Sequence, residues 1–328
     1  MAGLAEASVR LPMTIRSSAG TSCDFLPSSR AHMLFSLPMR PNKGRSLLLI
    51  SLFIGPREKE VEVAIDTGSS ILWVPRGVCS EGGTQVCGKA LRPFSYRYLD
   101  GPIEGELIST QVSLTGTGHK AAAGRATDDI WGGGRASHAA TGKKGRVEEA
   151  SVMLVNSVGG TVRQPLLGLS PRRYQNVPTF LEDLKREGVV ERLEFTLDLA
   201  ALEIVLGPLE EAGRPDFVLP VSSEHSYAIT VSRVGLGDSL VAEENVQGLI
   251  DYGNTLIALP LRLRDPLFAR LKSRGVVCRT LKEDNPRFLE MHCVFGSITQ
   301  LEDMVFHVGS NAIRMGPKEY FESCNFDS

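Results

Sequence analysis

Short apolar runs that end at glycine or proline turns recur along this chain, a pattern typical of proteins built mainly from β-strands. The apolar run 47–54 is followed by the pair Gly55-Pro56 and then by a second apolar stretch at 61–65. This order predicts a buried strand, a turn and a second strand, which together form a hairpin that ends at Asp66. The basic flank of the first run would also suit a signal sequence, but the run is too short to span a membrane.

Other segments show either helical or strand-like spacing. Segment 177–188 has a proline near its start, apolar residues at three- and four-residue steps and a glycine at its end, which predicts a helix. Segment 265–272 predicts a second helix. Residues 193–206 read as strands, and the runs 304–308 and 312–315 read as a hairpin around an intervening Gly-Ser-Asn turn.

Two segments stand apart from this pattern. Residues 1–46 are irregular and carry six Lys or Arg but only two Asp or Glu, out of 36 and 38 in the whole chain. A basic leader before an acidic body suits an inhibitory prosegment that covers an anionic cleft; the alternative is an unstructured extension or a wrongly assigned start. Residues 116–149 are rich in Gly, Ala, Thr, Lys and Arg and read as a disordered surface insertion. This insertion either binds a partner, is cleaved, or is tolerated without a function.

Composition narrows the class of protein. The chain has 328 residues, 42% of them hydrophobic, which is enough for one large domain or two lobes with a packed core. A net charge of −2 gives no reason to expect a nucleic-acid partner. The six cysteines form no CxxC pair and no zinc-like spacing with histidine. They are therefore either disulfide-bonded, which implies an oxidising compartment, or buried reduced thiols.

The most informative feature is a pair of similar runs, Ile-Asp-Thr-Gly-Ser-Ser at 65–70 and Ile-Asp-Tyr-Gly-Asn-Thr at 250–255. In each run an Asp ends an apolar stretch and precedes a Gly turn. Asp66 and Asp251 are 185 positions apart, so each can belong to its own half of the chain. Two carboxylates held about 3 Å apart cannot both ionise cheaply, so one keeps a proton while the other acts as a base. A single Asp-Thr-Gly would be interpreted as an Asx-turn. The second, similar run favours a pair of catalytic carboxylates.

Further motifs stand in register with these two runs. The first run continues through Trp73 to a proline, and Tyr98 precedes the pair Gly101-Pro102 in segment 94–105. Segment 165–169 carries the order apolar-apolar-Gly, and 227–231 precedes the second Asp run. With these motifs the chain resembles the pepsin-like aspartic proteases from about residue 47 to residue 324. The resemblance implies that 94–105 is the flap hairpin, with Tyr98 at the flap tyrosine position, and that 165–169 is the strand that crosses under the first Asp loop.

That resemblance implies a mostly-β, bilobal fold, in which two pseudo-symmetric β lobes at 47–206 and 207–328 enclose a cleft. It implies no metal and no cofactor. It also implies a set of site residues, which comprises the catalytic pair Asp66 and Asp251; the supporting residues Thr67, Gly68, Ser69, Tyr252, Gly253, Asn254 and Thr255; the peptide-binding residues Tyr98, Gly101 and Trp73; and the disulfides Cys79–Cys87 and Cys293–Cys324. Cys23 and Cys278 are left unpaired. We also expect Tyr98 and Trp73 to be hydrogen-bonded to each other; the alternative is that both are ordinary core aromatics.

Three departures from the family pattern bear on activity. Tyr252 stands where the family has Thr or Ser, whose hydroxyl bonds across to the opposite Asp loop. Asn254 replaces a hydroxyl that would orient Asp251, although an amide can donate a comparable bond. After Cys324 we find no second apolar-apolar-Gly strand to support the Asp251 loop, so we expect the second lobe to be incomplete.

These observations lead to one main hypothesis and two alternatives. The main hypothesis is an endopeptidase with an acidic pH optimum that is made as a precursor. Its paired carboxylates would activate a water for attack on a peptide or protein substrate. The alternatives are a catalytically weak or inactive peptide-binding protein on the same fold, and a truncated gene product. We expect a monomer without a membrane span, in the secretory pathway, secreted or in a vacuolar or lysosome-like compartment.

Overall fold

A computed structural model gives the structure of this protein. The described residues are 35–41, 47–98, 101–114, 145–158, 164–199, 202–207, 218–254, 257–280, 291–297 and 301–320. They form a mostly-β, bilobal, pepsin-like fold, as the sequence predicts. No helix in these ranges is long and apolar enough to cross a membrane.

The first lobe contains thirteen of the described strands and one α-helix. The strands are β1 (Phe35–Pro38), β2 (Arg40–Pro41), β3 (Leu48–Ile54), β4 (Lys59–Asp66), β5 (Leu72–Pro75), β6 (Ser80–Glu81), β7 (Thr84–Gln85), β8 (Gly88–Arg97), β9 (Pro102–Ser113), β10 (Arg146–Val158), β11 (Leu166–Gly168), β12 (Phe195–Asp198) and β13 (Glu203–Leu206). The helix is α1 (Phe180–Arg186), and a 3₁₀-helix spans Arg76–Cys79.

The second lobe contains six of the described strands. They are β14 (Ala228–Leu236), β15 (Ser239–Leu249), β16 (Val277–Thr280), β17 (Met291–Val294), β18 (Met304–Val308) and β19 (Asn311–Met315). The helices here are α2 (Arg264–Ser273) and α3 (Pro317–Tyr320), with a 3₁₀-helix at Leu261–Leu263.

The hairpin predicted to deliver Asp66 is present as β3 and β4. The two strands pair antiparallel, and the turn between them begins at Gly55, whose φ of +77° favours glycine. Val63, Ala64 and Ile65 are fully buried, because β4 lies inside a sheet and is covered on both faces. In the apolar run at 47–54, Ile50, Leu52 and Ile54 of β3 are also buried, so this run is a buried strand.

Asp66 is the last residue of β4, an inner strand of an eight-stranded sheet with the order β2-β3-β4-β11-β5-β10-β9-β8, in which β3 also pairs with β9. The apolar-apolar-Gly strand expected from the family resemblance at 165–169 is present as β11, which runs parallel to β4 and lies between β4 and β5. Directly after β11, the Leu169 N–H donates to the Asp66 carbonyl at 2.7 Å and the Ser170 N–H donates to the Ser69 carbonyl at 2.8 Å. These two bonds brace the Asp66 loop from below.

Helix α1 confirms the helix predicted at 177–188, with a later start. The helix begins after Thr179 rather than at Pro178, because Thr179 is the N-cap of a capping box that it forms with Glu182. Within the helix, the carboxylate of Asp183 is fully buried and accepts the Ser151 N–H at 2.9 Å. That bond attaches α1 to β10.

Parts of the expected leader and insertion lie in the body of the first lobe. Strand β1 pairs with β13 in the three-stranded sheet β1-β13-β12, and Leu37 and Met39 are buried in the core. The last four residues of the expected insertion, 146–149, belong to strand β10. The other parts of the leader, 1–34 and 42–46, and residues 116–144 of the insertion lie outside the described residues.

In the second lobe, the four-stranded sheet has the order β15-β14-β18-β19. The hairpin of β18 and β19 confirms the pair predicted at 304–315. Helix α2, predicted at 265–272, packs Leu267 and Leu271 against Leu236 and Met304 in a common apolar cluster. Both Asp loops thus project from packed sheets.

The disulfide prediction was right for one pair and wrong for the other. Cys79 is bonded to Cys87, as expected. Cys293 is bonded to Cys278 rather than to Cys324, because the two residues face each other in the antiparallel β16–β17 ladder with their Cα atoms 4.0 Å apart. Cys324 and Cys23 lie outside the described residues. The two four-residue strands are too short to reveal this hairpin by periodicity.

Candidate active site

The two Asp loops have the same local design. The Gly68 N–H donates to Asp66 Oδ1 at 2.8 Å, and the Gly253 N–H donates to Asp251 Oδ1 at 2.9 Å. On the first loop, the Ser69 N–H also donates to Asp66 Oδ1 at 3.2 Å and the Ser69 hydroxyl donates to Asp66 Oδ2. Ser69 therefore lies where the sequence places it, beside the carboxylate that it orients.

The structure brings the two carboxylates together across the loops. A Cβ atom on Gly68 would lie 2.5 Å from Asp251 Oδ2, and a Cβ on Gly253 would lie 2.5 Å from Asp66 Oδ1. Real Cβ contacts do not come this close, so each loop needs a glycine where the opposite carboxylate approaches its backbone. This reciprocal contact gives the site its approximate two-fold symmetry.

Burial changes the acid strength of Asp66. Its side chain is 4% exposed, and loss of water, together with the negative charge of Asp251, raises the pKa of Asp66 from 3.8 to about 6. Hydrogen bonds from Ser69 and Gly68 act in the opposite direction but are outweighed. The pair therefore keeps a proton up to about pH 6.

This raised pKa predicts that stability falls as the pH rises. Folded Asp66 binds a proton more tightly than the unfolded residue does. The free energy of unfolding that this proton binding contributes is therefore fully present below about pH 4 and is lost as the pH rises through about 6. The loss amounts to about 3 kcal/mol of unfolding free energy. Urea unfolding between pH 3 and 8 measures it, and in Asp66→Asn this part of the pH dependence should disappear. An unchanged profile in that variant would assign the effect to another group.

The loops are joined by one of the two hydroxyl links of the family pattern, as expected from the Tyr at position 252. The Thr67 hydroxyl donates to the Ile250 carbonyl at 2.8 Å and accepts the Tyr252 N–H at 2.9 Å. The side chain of Tyr252 instead packs, half-buried, against the main apolar cluster, which raises the pKa of its phenol. Tyr252 therefore joins the loops through its backbone and not through a hydroxyl.

The hairpin of β8 and β9 forms the expected flap. Tyr98 and Gly101 close its tip, with the Tyr98 N–H donating to the Gly101 carbonyl at 2.9 Å. The Tyr98 hydroxyl donates to Ser69 Oγ at 3.3 Å, which connects the flap to Asp66. Burial and the charge of Asp66 hold the pKa of Tyr98 well above its ordinary value, so the phenol stays protonated.

The expected hydrogen bond between Tyr98 and Trp73 is not formed. Trp73 is 1% exposed, and its indole N–H has no hydrogen-bond acceptor within the described part of the chain. Of Trp73 and Ser69, the Tyr98 hydroxyl is hydrogen-bonded to Ser69 only.

The remaining members of the predicted set lie at the edge of the second loop. Asn254 is exposed, and its backbone N–H donates to the Asp251 carbonyl at 3.4 Å. Thr255 lies outside the described residues. No group of three or more His, Cys, Asp or Glu residues in the described ranges is arranged to hold a metal ion.

Sequence reasoning missed an aromatic cluster behind the flap. The ring of Tyr96 lies 4.8 Å from that of Tyr98 and 4.5 Å from that of Tyr174, and Phe94 meets Tyr174 edge-on at 5.8 Å. Burial and the charge of Asp66 raise the pKa of Tyr96 to about 12. This cluster could have been predicted from the sequence, because side chains two residues apart in a strand lie on the same face. Phe94, Tyr96 and Tyr98 have that spacing.

Comparison with known proteins finds relatives in sequence and in fold. An aspartic proteinase from Irpex lacteus superposes with a TM-score of 0.61 over 87% of this chain and 79% of its own, at 14% identity. Pepsin F of Oryctolagus cuniculus is 25% identical over 65% of this chain and 54% of its own length. Pepsin A-5 of Mus musculus is 24% identical over 87% of this chain and 72% of its own length. Rhizopuspepsin of Rhizopus chinensis is 26% identical over 63% of this chain and 52% of its own length. The chain thus spans about half the length of two of these three relatives.

A family model adds the decisive comparison. The model of the eukaryotic aspartyl protease matches residues 49–327, a range that holds both Asp loops, the flap and most of both lobes. A match over this share of the chain depends on the whole fold and not on one short motif. This protein therefore belongs to the eukaryotic aspartyl protease family.

Proposed function

We propose that this protein is an aspartic endopeptidase that hydrolyses peptide bonds through a water held and activated by Asp66 and Asp251. The observation that carries the proposal is the mutual approach of the two loops, in which each carboxylate lies against the glycine of the other loop. Such a pair holds one proton between two acids and binds a water on its open side.

The chemistry follows from that single shared proton. The ionised carboxylate removes a proton from the water as it attacks the scissile carbonyl carbon, while the protonated carboxyl donates to the carbonyl oxygen. The carboxyl that took the proton from water then donates it to the leaving nitrogen, while the other carboxylate takes a proton back from a hydroxyl of the tetrahedral intermediate as the C–N bond breaks. The pair thereby returns to one shared proton. Acid-base help of this kind contributes about 10²–10⁴-fold, and the positioning of water and peptide contributes more.

The flap supports an extended peptide as the substrate. A hairpin over the carboxylates offers backbone groups to a peptide strand, and apolar pockets then select its side chains. The proposed substrate-binding residues are Tyr98 and Gly101, at the tip of the flap, and Trp73, in the strand β5 that follows the Asp66 loop. The flap is attached to Asp66 through Ser69, so closure over a peptide is coupled to the orientation of the carboxylate.

The proposal is tested by cleavage of a quenched apolar peptide library between pH 3 and 7, with and without pepstatin. We expect pepstatin-sensitive turnover that is highest in acid and declines as the pH rises through about 6, because the pair then loses its shared proton. Turnover that resists pepstatin, or that rises above pH 6, would contradict the proposed mechanism.

One observation favours a second candidate, a peptide-binding protein with little or no turnover. Tyr252 supplies no hydroxyl to the opposite loop, so the pair is linked from one side only at this position. This candidate predicts that the folded protein binds pepstatin or an apolar peptide without cleaving it. Fluorescence anisotropy with a labelled peptide, run beside the cleavage assay, separates the two functions.

The compartment and the processing of the chain are also proposals. Two disulfides suit an oxidising compartment, which supports the secretory pathway, with secretion or a vacuolar or lysosome-like destination. We propose that the basic leader within 1–46 belongs to a precursor, that 47–206 and 207–328 are the two lobes, and that the protein acts as a monomer on peptide or protein substrates.

A further inference from the structure

A second link between the two Asp loops runs through a tyrosine that lies outside both motifs. The Tyr227 hydroxyl donates to the Leu169 carbonyl at 2.8 Å. Leu169 follows β11 in the first lobe, and Tyr227 precedes β14 in the second, so the bond joins the lobes. Tyr227 is 6% exposed and Leu169 is 0% exposed. Loss of this bond would be costly, because it would leave the buried Leu169 carbonyl without a hydrogen-bond donor.

The backbone groups of these two residues continue directly to the catalytic loops. The Leu169 N–H donates to the Asp66 carbonyl at 2.7 Å, and the Tyr227 carbonyl accepts the Ile250 N–H at 3.1 Å. The Ile250 carbonyl in turn accepts the Thr67 hydroxyl at 2.8 Å. The hydrogen bonds therefore close a ring that begins at Asp66, passes through Tyr227 and returns to Thr67, the neighbour of Asp66.

The ring of Tyr227 is held so that its hydroxyl points at Leu169. Phe195 contacts it edge-on at 5.9 Å between centroids, and both residues belong to the main apolar cluster against which Tyr252 and Ile250 also pack. Burial raises the pKa of the Tyr227 phenol above its ordinary value, so the hydroxyl keeps its proton in acidic and neutral solution. It can therefore donate to Leu169 throughout the pH range in which the carboxylate pair titrates.

We propose that Tyr227 is a positioning residue for the carboxylate pair, and that its hydroxyl supplies the cross-lobe link that the side chain of residue 252 does not supply. The Thr67 hydroxyl links the loops from the first lobe, and the Tyr227 hydroxyl links them from the second. The role of Tyr227 in catalysis rests on the proposed peptidase function, but its effect on the carboxylates does not.

The test compares Tyr227→Phe with Tyr320→Phe. Each substitution removes one oxygen from a tyrosine that donates to a backbone carbonyl. Tyr320 donates to the Glu302 carbonyl and packs against an apolar cluster of the second lobe that contains neither Asp loop. For Tyr227→Phe we expect kcat on the apolar peptide to fall about 10- to 100-fold with little change in KM, because the loops lose their alignment but the flap does not. Tyr320→Phe should keep the wild-type kcat.

A second readout does not need turnover. In protein labelled with ¹³C at the Asp carboxyls, the signal assigned by its loss in Asp66→Asn should titrate near pH 6. In Tyr227→Phe its midpoint should fall by about one pH unit, since separated loops admit water and weaken the effect of Asp251. If the wild type cleaves no peptide, the peptidase proposal fails while this titration still tests Tyr227.

The link to residue 252 is tested in the Tyr252→Thr background. There a hydroxyl at 252 can bond to the first loop, so Tyr227→Phe should cost much less kcat than it does in the wild type. An equal loss of kcat in the wild-type and Tyr252→Thr backgrounds would contradict the proposal that the Tyr227 hydroxyl replaces the link missing at residue 252. A Tyr227→Phe variant that matches Tyr320→Phe in both kcat and the Asp66 titration would overturn the proposal.

Discussion

Asp66→Asn is expected to lower kcat/KM on an apolar peptide by at least about 10³-fold. Asn has the size of Asp but can neither hold the shared proton nor remove one from water. The Ser69 and Gly68 groups that now bond to the carboxylate remain in place around the amide, so the loop should keep its shape. The loss therefore reports on proton transfer and not on folding.

The control for this variant is Asp238→Asn, which makes the same chemical change at an exposed position in the turn between β14 and β15. It should retain wild-type turnover. The stability of Asp66→Asn at neutral pH should equal or exceed that of the wild type, because a buried charge has been removed. Unchanged cleavage by Asp66→Asn would exclude the carboxylate pair as the catalyst.

Gly68→Ala is expected to lower kcat by about 10²-fold or more through displacement of a carboxylate that the substitution does not alter chemically. The added methyl group would lie 2.5 Å from Asp251 Oδ2, so Asp251 must move away from Asp66. Crowding of this kind also costs about 1–3 kcal/mol of stability. We expect a folded protein with weak turnover, which steady-state kinetics and circular dichroism measure together.

The matched control is Gly77→Ala. Gly77 lies in the 3₁₀-helix Arg76–Cys79, and a Cβ there would meet no atom within 4 Å. This variant should be as active as the wild type. Equal activity of Gly68→Ala and Gly77→Ala would mean that the two loops are not in close contact in solution, and the paired-carboxylate mechanism would lose its geometric basis.

The flap shows where interpretation of the sequence was partly right. The family resemblance identified 94–105 as the flap hairpin with Tyr98 near its tip, and the hairpin of β8 and β9 is present there. A hairpin of this kind depends on strand and turn residues that are neighbours in the sequence. Interpretation of the sequence assigned the wrong partner to the Tyr98 hydroxyl. Whether the Trp73 N–H reaches the Tyr98 oxygen, and whether the Tyr98 hydroxyl donates to Ser69, depends on small differences in side-chain angles that no sequence pattern records.

The sequence by itself determined the strand-type runs, the β3–β4 hairpin, helix α1 and the two Asp loops, because apolar period, turn residues and capping act over a few neighbouring positions. Only the tertiary structure decided which distant groups meet. The pairing of Cys278 with Cys293, the raised pKa of Asp66 and the bond from Tyr227 to Leu169 all depend on how strands and lobes pack. Burial and contact between residues far apart in sequence are properties of the folded chain as a whole, so they appear only once it has folded.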